Sequence, residues 1–272
     1  MKKYLENKTF MISALIFIIF IIVALFGNVI APCDPLKLDT GNALQKAGGA
    51  HLLGTDEYGR DILSRIIIGL RPTLIIAFTA TLAATIVGTF LGMLAAYSNP
   101  VVETFIMKMM NIILCFPAML LGIMIVSFWG SGIRNLAIVI AIVYIPTFAR
   151  LAYGSALKIK GQEYIEAQLS LGAGYWRILL KGILPNILPS VIVQISLTFG
   201  NAIILESGLS FLGLGIVPPT PSLGQMVGAA QSYMALNIGM LVWPAAVLAV
   251  LVLTVNVMGD SLRDILDPRL HR

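Results

Sequence analysis

Side chains able to do chemistry are few, and most of the charged ones fall into three stretches. His51, Asp56, Glu57, Arg60, Asp61, Arg65 and Arg71 stand close together near the start. Glu163 and Glu166 stand among basic residues between Arg150 and Lys181, and Asp260, Arg263, Asp264 and Asp267 precede Pro268 near the end. Carboxylates beside guanidiniums form charge-assisted pairs. Covalent chemistry needs more. Gly208-Leu-Ser210 has the Gly-x-Ser of a nucleophile turn, but His51 and His271 both lie outside the apolar runs, so no base accompanies it. No Gly-x-x-x-x-Gly-Lys-Ser/Thr loop is present to cradle a nucleotide. Gly213-Leu-Gly215 runs into Pro218 and Pro219 rather than into a helix. Cys33 and Cys115 are too few for a disulfide framework, and Cys115, inside an apolar run, is expected to pack as a small hydrophobe. The two histidines show no metal-ligand spacing. The sequence therefore predicts no catalytic residue, no metal site and no cofactor on this chain.

The elements that must position these residues are apolar. Of the 272 residues, 58% are hydrophobic and 11% charged, and mean hydropathy is +0.93. Soluble domains carry about 25% charged residues. The composition excludes a soluble enzyme, a disordered chain and a nucleic-acid binder; the net charge of +5 belongs to loops flanking a bilayer. Phe10 to Ile30 gives about 31 Å of helix, enough to cross a membrane and too long for a signal-peptide core. Six spans are predicted, near 10–31, 73–97, 104–128, 135–151, 187–211 and 238–258. With both ends inside, twelve Lys and Arg fall on the inner side and six on the outer. Residues 32–72 then form an outer loop, 152–186 an inner loop and 259–272 an inner tail. Gly88 and Gly92 form a small-xxx-small pair for close helix packing. Buried charge is sparse, Glu206 being one acid toward the outer end of the fifth span. An ion-coupled carrier or channel would hold more, so energy must come from a partner.

The inner loop reads as a short helix from Glu163 to Leu171, stopped by Gly172 and Gly174, then an amphipathic stretch from Tyr175 leading to Pro185 and Pro189. Glu166-Ala167-Gln168, three residues, Gly172, nine residues, then Gly182-Ile183-Leu184-Pro185 resembles the "EAA" loop of permease subunits in binding-protein-dependent ABC importers. Gln168 stands where that pattern has Ala, and Gly182 where it has Ile. The resemblance implies that this loop docks on an ATPase, with Glu163, Glu166, Ala167, Gly172, Gly174, Leu184 and Pro185 as the coupling residues.

Further stretches resemble the second permease of the peptide/nickel group: His51 to Pro72, Asn111 to Ala118, Glu206 to Val227 and Gly259 to His271. They cover nearly the whole chain. They single out Gly54, Thr55, Asp56, Gly59, Arg60 and Asp61 in the outer loop, Glu206, Phe211, Gly213 and Gly215 after the fifth span, and the tail residues Asp260 to Pro268. On their own chemistry, Thr55 or Asp56 is available as a helix N-cap, with Arg60, Asp61, Arg65 and Arg71 on a short surface helix, serving loop folding or docking of an external binding protein. Phe211 to Val217 is expected to re-enter or close the outer mouth.

The resemblance implies an all-α polytopic fold with six transmembrane helices, the type I permease fold of ABC importers, in the bacterial cytoplasmic (inner) membrane. It implies a tail and first span over 1–31, an external loop over 32–72, a core over 73–258 and a cytoplasmic tail over 259–272. It implies as partners a homologous second permease, two cytoplasmic ATPase subunits, an extracytoplasmic solute-binding protein and the lipid bilayer, with ATP and Mg held by the ATPases and no nucleic acid. Di- or oligopeptides are the expected cargo, with nickel or a metal chelate as the alternative.

Overall fold

The computed structural model describes residues 7–266. Asn7 caps the first helix by accepting from the Phe10 N–H at 3.1 Å, and α1 runs Lys8–Ile30. It is the most lipid-like element, with only Ser13, Ala24 and Gly27 buried. Phe17 anchors it edge-on to Phe199 at 5.8 Å. Segment 31–61 follows as a folded loop. Helix α2 spans Ile62–Tyr97. Its start lies eleven residues before the expected 73, because Asp61 caps it by accepting from the Ser64 N–H at 2.8 Å.

The expected third span is broken. Helix α3, Pro100–Leu114, and helix α4, Ala118–Trp129, meet at 93°. Pro117 at the junction lacks an N–H and restricts Phe116 before it, so one straight helix cannot pass. Among the described residues, five helices are long and apolar enough to cross a membrane, or up to six if the bent pair counts as one span. Cys115 sits at the break and is exposed rather than packed.

Helix α5 runs Ile133–Lys160, so the fourth span is not short, and the predicted inner loop loses its first residues to this helix. A short helix, α6, spans Glu163–Ser170. Helix α7 covers Tyr175–Phe211 with a π turn at Ile178–Ile183. It begins well before the predicted 187. Helix α8 is Leu223–Ala230 and α9 is Gly239–Leu266.

The core forms where α2 and α5 lie against each other. A Cβ on Gly88 would stand 2.5 Å from the Ile145 carbonyl oxygen and 2.7 Å from Phe148 Cβ. Gly92 faces Ala149 and Ala152 in the same way. The glycine pair thus does what small residues do in membrane helices, letting two backbones touch. One buried cluster, including Ile62, Ile76, Leu136, Ile203 and Leu209, fills the end nearest segment 31–61. Another, with Phe148, Ile165, Ile178 and Ile183, fills the end nearest α6.

Candidate functional site

Two assemblies of polar residues stand at opposite ends of the bundle. At one end, residues 54–65 tie segment 31–61 to α2. Asp56 is buried and uses both oxygens: Oδ1 accepts from the Tyr58 and Arg60 N–H groups at 2.9 Å each, and Oδ2 accepts from Arg60 Nε at 2.7 Å. Arg65 Nε approaches the same Oδ2 at 3.3 Å. Arg60 also reaches Glu57 Oε1 at 3.2 Å and lies over the Tyr58 ring at 4.6 Å. Burial pushes the Glu57 carboxyl above the usual glutamate range, the neighbouring charge of Asp56 adding to this against the pull of Arg60 and Arg65.

Thr55 Oγ1 accepts from the Gln45 N–H at 2.8 Å and donates to the Asn42 carbonyl at 2.5 Å. Neither Thr55 nor Asp56 caps a helix; that task falls to Asp61. Nor is there a surface helix: Arg60, Asp61 and Arg65 are buried, while Arg71 is exposed within α2. A charged residue goes inside only when paired, and the hydropathy of a sequence does not show its pairings. Gly59 has φ +76, and a Cβ there would run into the Asp39 backbone; Gly54 abuts the Gln45 carbonyl likewise. Asn237, ahead of α9, donates to the carbonyls of Gln45 and Thr55 at 2.9 and 3.3 Å. His51 Nδ1 meets Asp61 Oδ1 at 2.9 Å.

Beside this knot, Glu206 in α7 is fully buried, with Ser210 Oγ donating to it at 2.7 Å and Ser207 Oγ at 3.3 Å. Phe211 ends α7, and Gly213, with φ +78, turns the chain. Gly215 is buried against Ser210 and accepts from the Gly132 N–H at 3.1 Å.

At the other end, α6 is attached by little. Of its eight residues only Ile165 is buried, and it is fully so. It enters the cluster of Ile178, Leu179 and Ile183 on the first turns of α7. A Cβ on Gly182 would lie 2.9 Å from Ile165 Cδ1 and 3.3 Å from Gln168 Oε1. The two positions at which this loop departs from the permease pattern therefore meet in space: Gly182 leaves the room into which Ile165 and Gln168 fit. Tyr164 OH donates to the Gly182 carbonyl at 3.4 Å, and Asn186 Nδ2 donates to that carbonyl at 2.7 Å. The π turn is where this carbonyl is shared.

Glu163, Glu166 and Ala167 face solvent. So do Leu169 at 50% and Leu171 at 87% of their full area. Gly172, with φ +77, reverses the chain after α6, a conformation that costs other residues about 1–2 kcal/mol. Exposed Gly174 accepts from the Arg177 and Ile178 N–H groups and so starts α7; Leu184 and Pro185 follow the π turn. In the tail, Asp260, Arg263 and Asp264 are exposed at the end of α9, and no ion pair joins them among the described residues. Asp267 and Pro268 lie outside the described residues.

Sequence reasoning missed Ile165, which looks like any other apolar residue of a short amphipathic helix. It also missed that Cys33, His51 and Asp61, distant in sequence, come together.

Comparison with known proteins agrees along the whole length. The N-terminal TM domain of oligopeptide transport permease C matches residues 1–47. The chain is 37% identical to the glutathione transport system permease protein GsiD of Pectobacterium atrosepticum, over 99% of this chain and 90% of that one. It is 37% identical to the di/tripeptide transport system permease protein DppC of Pseudomonas aeruginosa, over 99% and 91%. It is 38% identical to the dipeptide transport system permease protein DppC of Haemophilus influenzae, over 98% and 92%. Among solved structures, a chain of the MetNI methionine ABC transporter in an inward facing conformation superposes with a TM-score of 0.63 at 20% identity, over 75% of this chain and 97% of that one. This likeness carries the fold alone. Residues 88–272 match the family described as binding-protein-dependent transport system inner membrane component, and the chain belongs to it.

Proposed function

We propose that this chain is the second permease of an ATP-driven importer of short peptides, working with a homologous permease, two ATPase subunits and an extracytoplasmic solute-binding protein. The observation that carries the coupling role is the presentation of α6. One buried peg, Ile165, fixes the helix to α7, while Glu163, Glu166, Leu169 and Leu171 face outward. Apolar side chains so exposed on a loop are groups that a partner covers. Because Ile165 sits on the first turns of α7, a displacement of α6 by an ATPase is carried into a 37-residue helix that crosses the bundle.

In this reading α6 and both chain ends are cytoplasmic, and the 31–61 knot faces the binding protein. ATP and Mg are held by the ATPases rather than by this chain. Nucleotide binding shifts the population toward the state the closed ATPases fit better. The peptide cargo rests on the relatives named for dipeptide, di/tripeptide and glutathione transport.

The test uses the complex recovered by the tagged chain after crosslinking in its native membrane. ATPases and a second permease are expected with it. Glu166→Lys and Gly172→Pro should leave insertion unchanged yet abolish uptake of labelled di- and tripeptides. Recovery of the chain alone, or normal uptake by both variants, would remove the coupling assignment. Uptake of Ni²⁺ in place of peptides would change the cargo.

A further inference from the structure

Where segment 31–61 meets α2, three chain segments bring together three different metal-ligating side chains. Cys33 follows α1, His51 closes a turn whose N–H and carbonyl pair with those of Gly48, and Asp61 caps α2. One ligand atom from each lies within 4.8 Å of the other two. We propose that Cys33, His51 and Asp61 form a Zn²⁺ site that clips segment 31–61 onto the start of α2.

The geometry is built rather than incidental. Ser64 holds both ends of the cluster. Its Oγ donates to Asp61 Oδ2 at 2.7 Å and accepts from the Cys33 N–H at 3.0 Å, across 31 positions of sequence. The Ser64 N–H adds a second bond to Oδ2 at 2.8 Å. Asp61 Oδ2 is thereby occupied, and Oδ1 is left pointing at His51. Such outer hydrogen bonds fix the orientation of metal-binding carboxylates. The Cys33 thiol is not in a disulfide. Asp61 is 1% exposed at its side chain and His51 18%, so the cluster is walled on one side and open on the other.

The choice of ion follows from the donors. A thiolate, an imidazole and a carboxylate suit Zn²⁺, whereas Mg²⁺ and Ca²⁺ take oxygen ligands. Tetrahedral Zn²⁺ with bonds of about 2.0–2.3 Å holds its ligands roughly 3.5 Å apart. The present spread closes to that with a shift of about 1 Å, within reach of a cysteine rotamer. On binding, Zn²⁺ takes the place of the hydrogen between His51 Nδ1 and Asp61 Oδ1, the neutral imidazole carrying its N–H on Nε2 instead, the Cys33 thiol releases its proton to solvent, and water completes the fourth position.

The test uses the full chain with its co-purifying subunits in lipid nanodiscs, in a Cys115→Ser background that leaves Cys33 as this chain's only thiol. After chelation, equimolar Zn²⁺ is expected to slow maleimide labelling of Cys33 at least tenfold, EDTA to restore it, and Mg²⁺ to leave it unchanged. In His51→Gln, whose amide still donates to Asp61, labelling without zinc should be equally fast and the protection lost. Co²⁺ should give thiolate-to-metal absorption in the near ultraviolet that Cys33→Ser abolishes. Unslowed labelling at millimolar Zn²⁺, equal protection in His51→Gln, or equal protection by Mg²⁺ would overturn the site.

Discussion

The two ends of the molecule are held by opposite means. The 31–61 knot is over-determined: Asp56 alone accepts three hydrogen bonds and pairs with a second arginine, Thr55 and Asn237 hold the Gln45 backbone from two sides, and Asp61 caps α2. The α6 end hangs on one buried isoleucine, two hydrogen bonds at the Tyr164 hydroxyl, which donates to the Gly182 carbonyl and accepts from Asn186 Nδ2, and a glycine turn. Three hydrogen bonds and an ion pair converging on one carboxylate specify a single arrangement. One peg in an apolar socket allows a helix to be shifted without unfolding what it sits on. The first end is fixed in one arrangement, and the second is held by little.

The comparison is broken most forcefully at Asp56. Asp56→Ala leaves Arg60 and Arg65 buried without this partner, and removing one member of a buried charge network costs about 3–5 kcal/mol. Thermal unfolding in detergent should show a large loss, with little folded chain in the membrane. If Asp56→Ala melted like the wild type, the knot would not be the rigid end. At the other end, Ile165→Ala removes the peg. Truncating a buried isoleucine costs about 2–5 kcal/mol, but here the loss should stay local. Limited proteolysis between 160 and 175 should accelerate at least tenfold, while the unfolding temperature of the bundle moves by little. A global fall in stability would show that α6 is part of the core. Gly182→Ala is a gentler version, expected to loosen α6 by pressing on Ile165 and Gln168 and to raise proteolysis severalfold.

The smallest effect is a pH dependence. The Glu57 carboxyl is held above the ordinary glutamate range by burial, so the folded chain binds more protons than the unfolded one at pH values between the two. The contribution is fully present below the unfolded value and is lost as pH rises through the folded one. Glu57→Gln should flatten the pH dependence of unfolding just above the usual glutamate range. An unchanged slope in that variant would place the dependence elsewhere in the knot.

Much of the α6 end was legible in the chain itself. The helix from Glu163 and its stop at Gly172 follow from residue type and spacing, and the structure has the helix at Glu163–Ser170 and a left-handed Gly172. The packing of Gly88 and Gly92 was readable for the same reason, since small residues four apart share a face. The knot was not legible. Arg60, Asp61 and Arg65 are polar residues in a polar stretch, and their burial depends on Asp56 and on Pro35, whose carbonyl Arg65 meets at 3.2 Å. The start of α2 was misplaced because Arg65, Arg71 and Pro72 read as loop residues, whereas the Asp61 cap starts the helix ahead of them and Arg65 is buried against Asp56. Window hydropathy is also blind to direction, so Pro100 to Trp129 reads as one crossing despite its bend.

That bend bears on how the chain is made. Helices of 15 and 12 residues reach about 22 and 18 Å, each short of the roughly 30 Å hydrocarbon layer. Between them Cys115, Phe116 and Pro117 are uncovered in the single chain. Irregular backbone at membrane depth is tolerated only against protein or water. A newly inserted copy therefore carries an unfinished seam until another subunit or an aqueous passage lies beside it. If the proposed partner permease covers this seam, copies made without it are expected to be cleared faster, whatever the rigidity of the folded bundle.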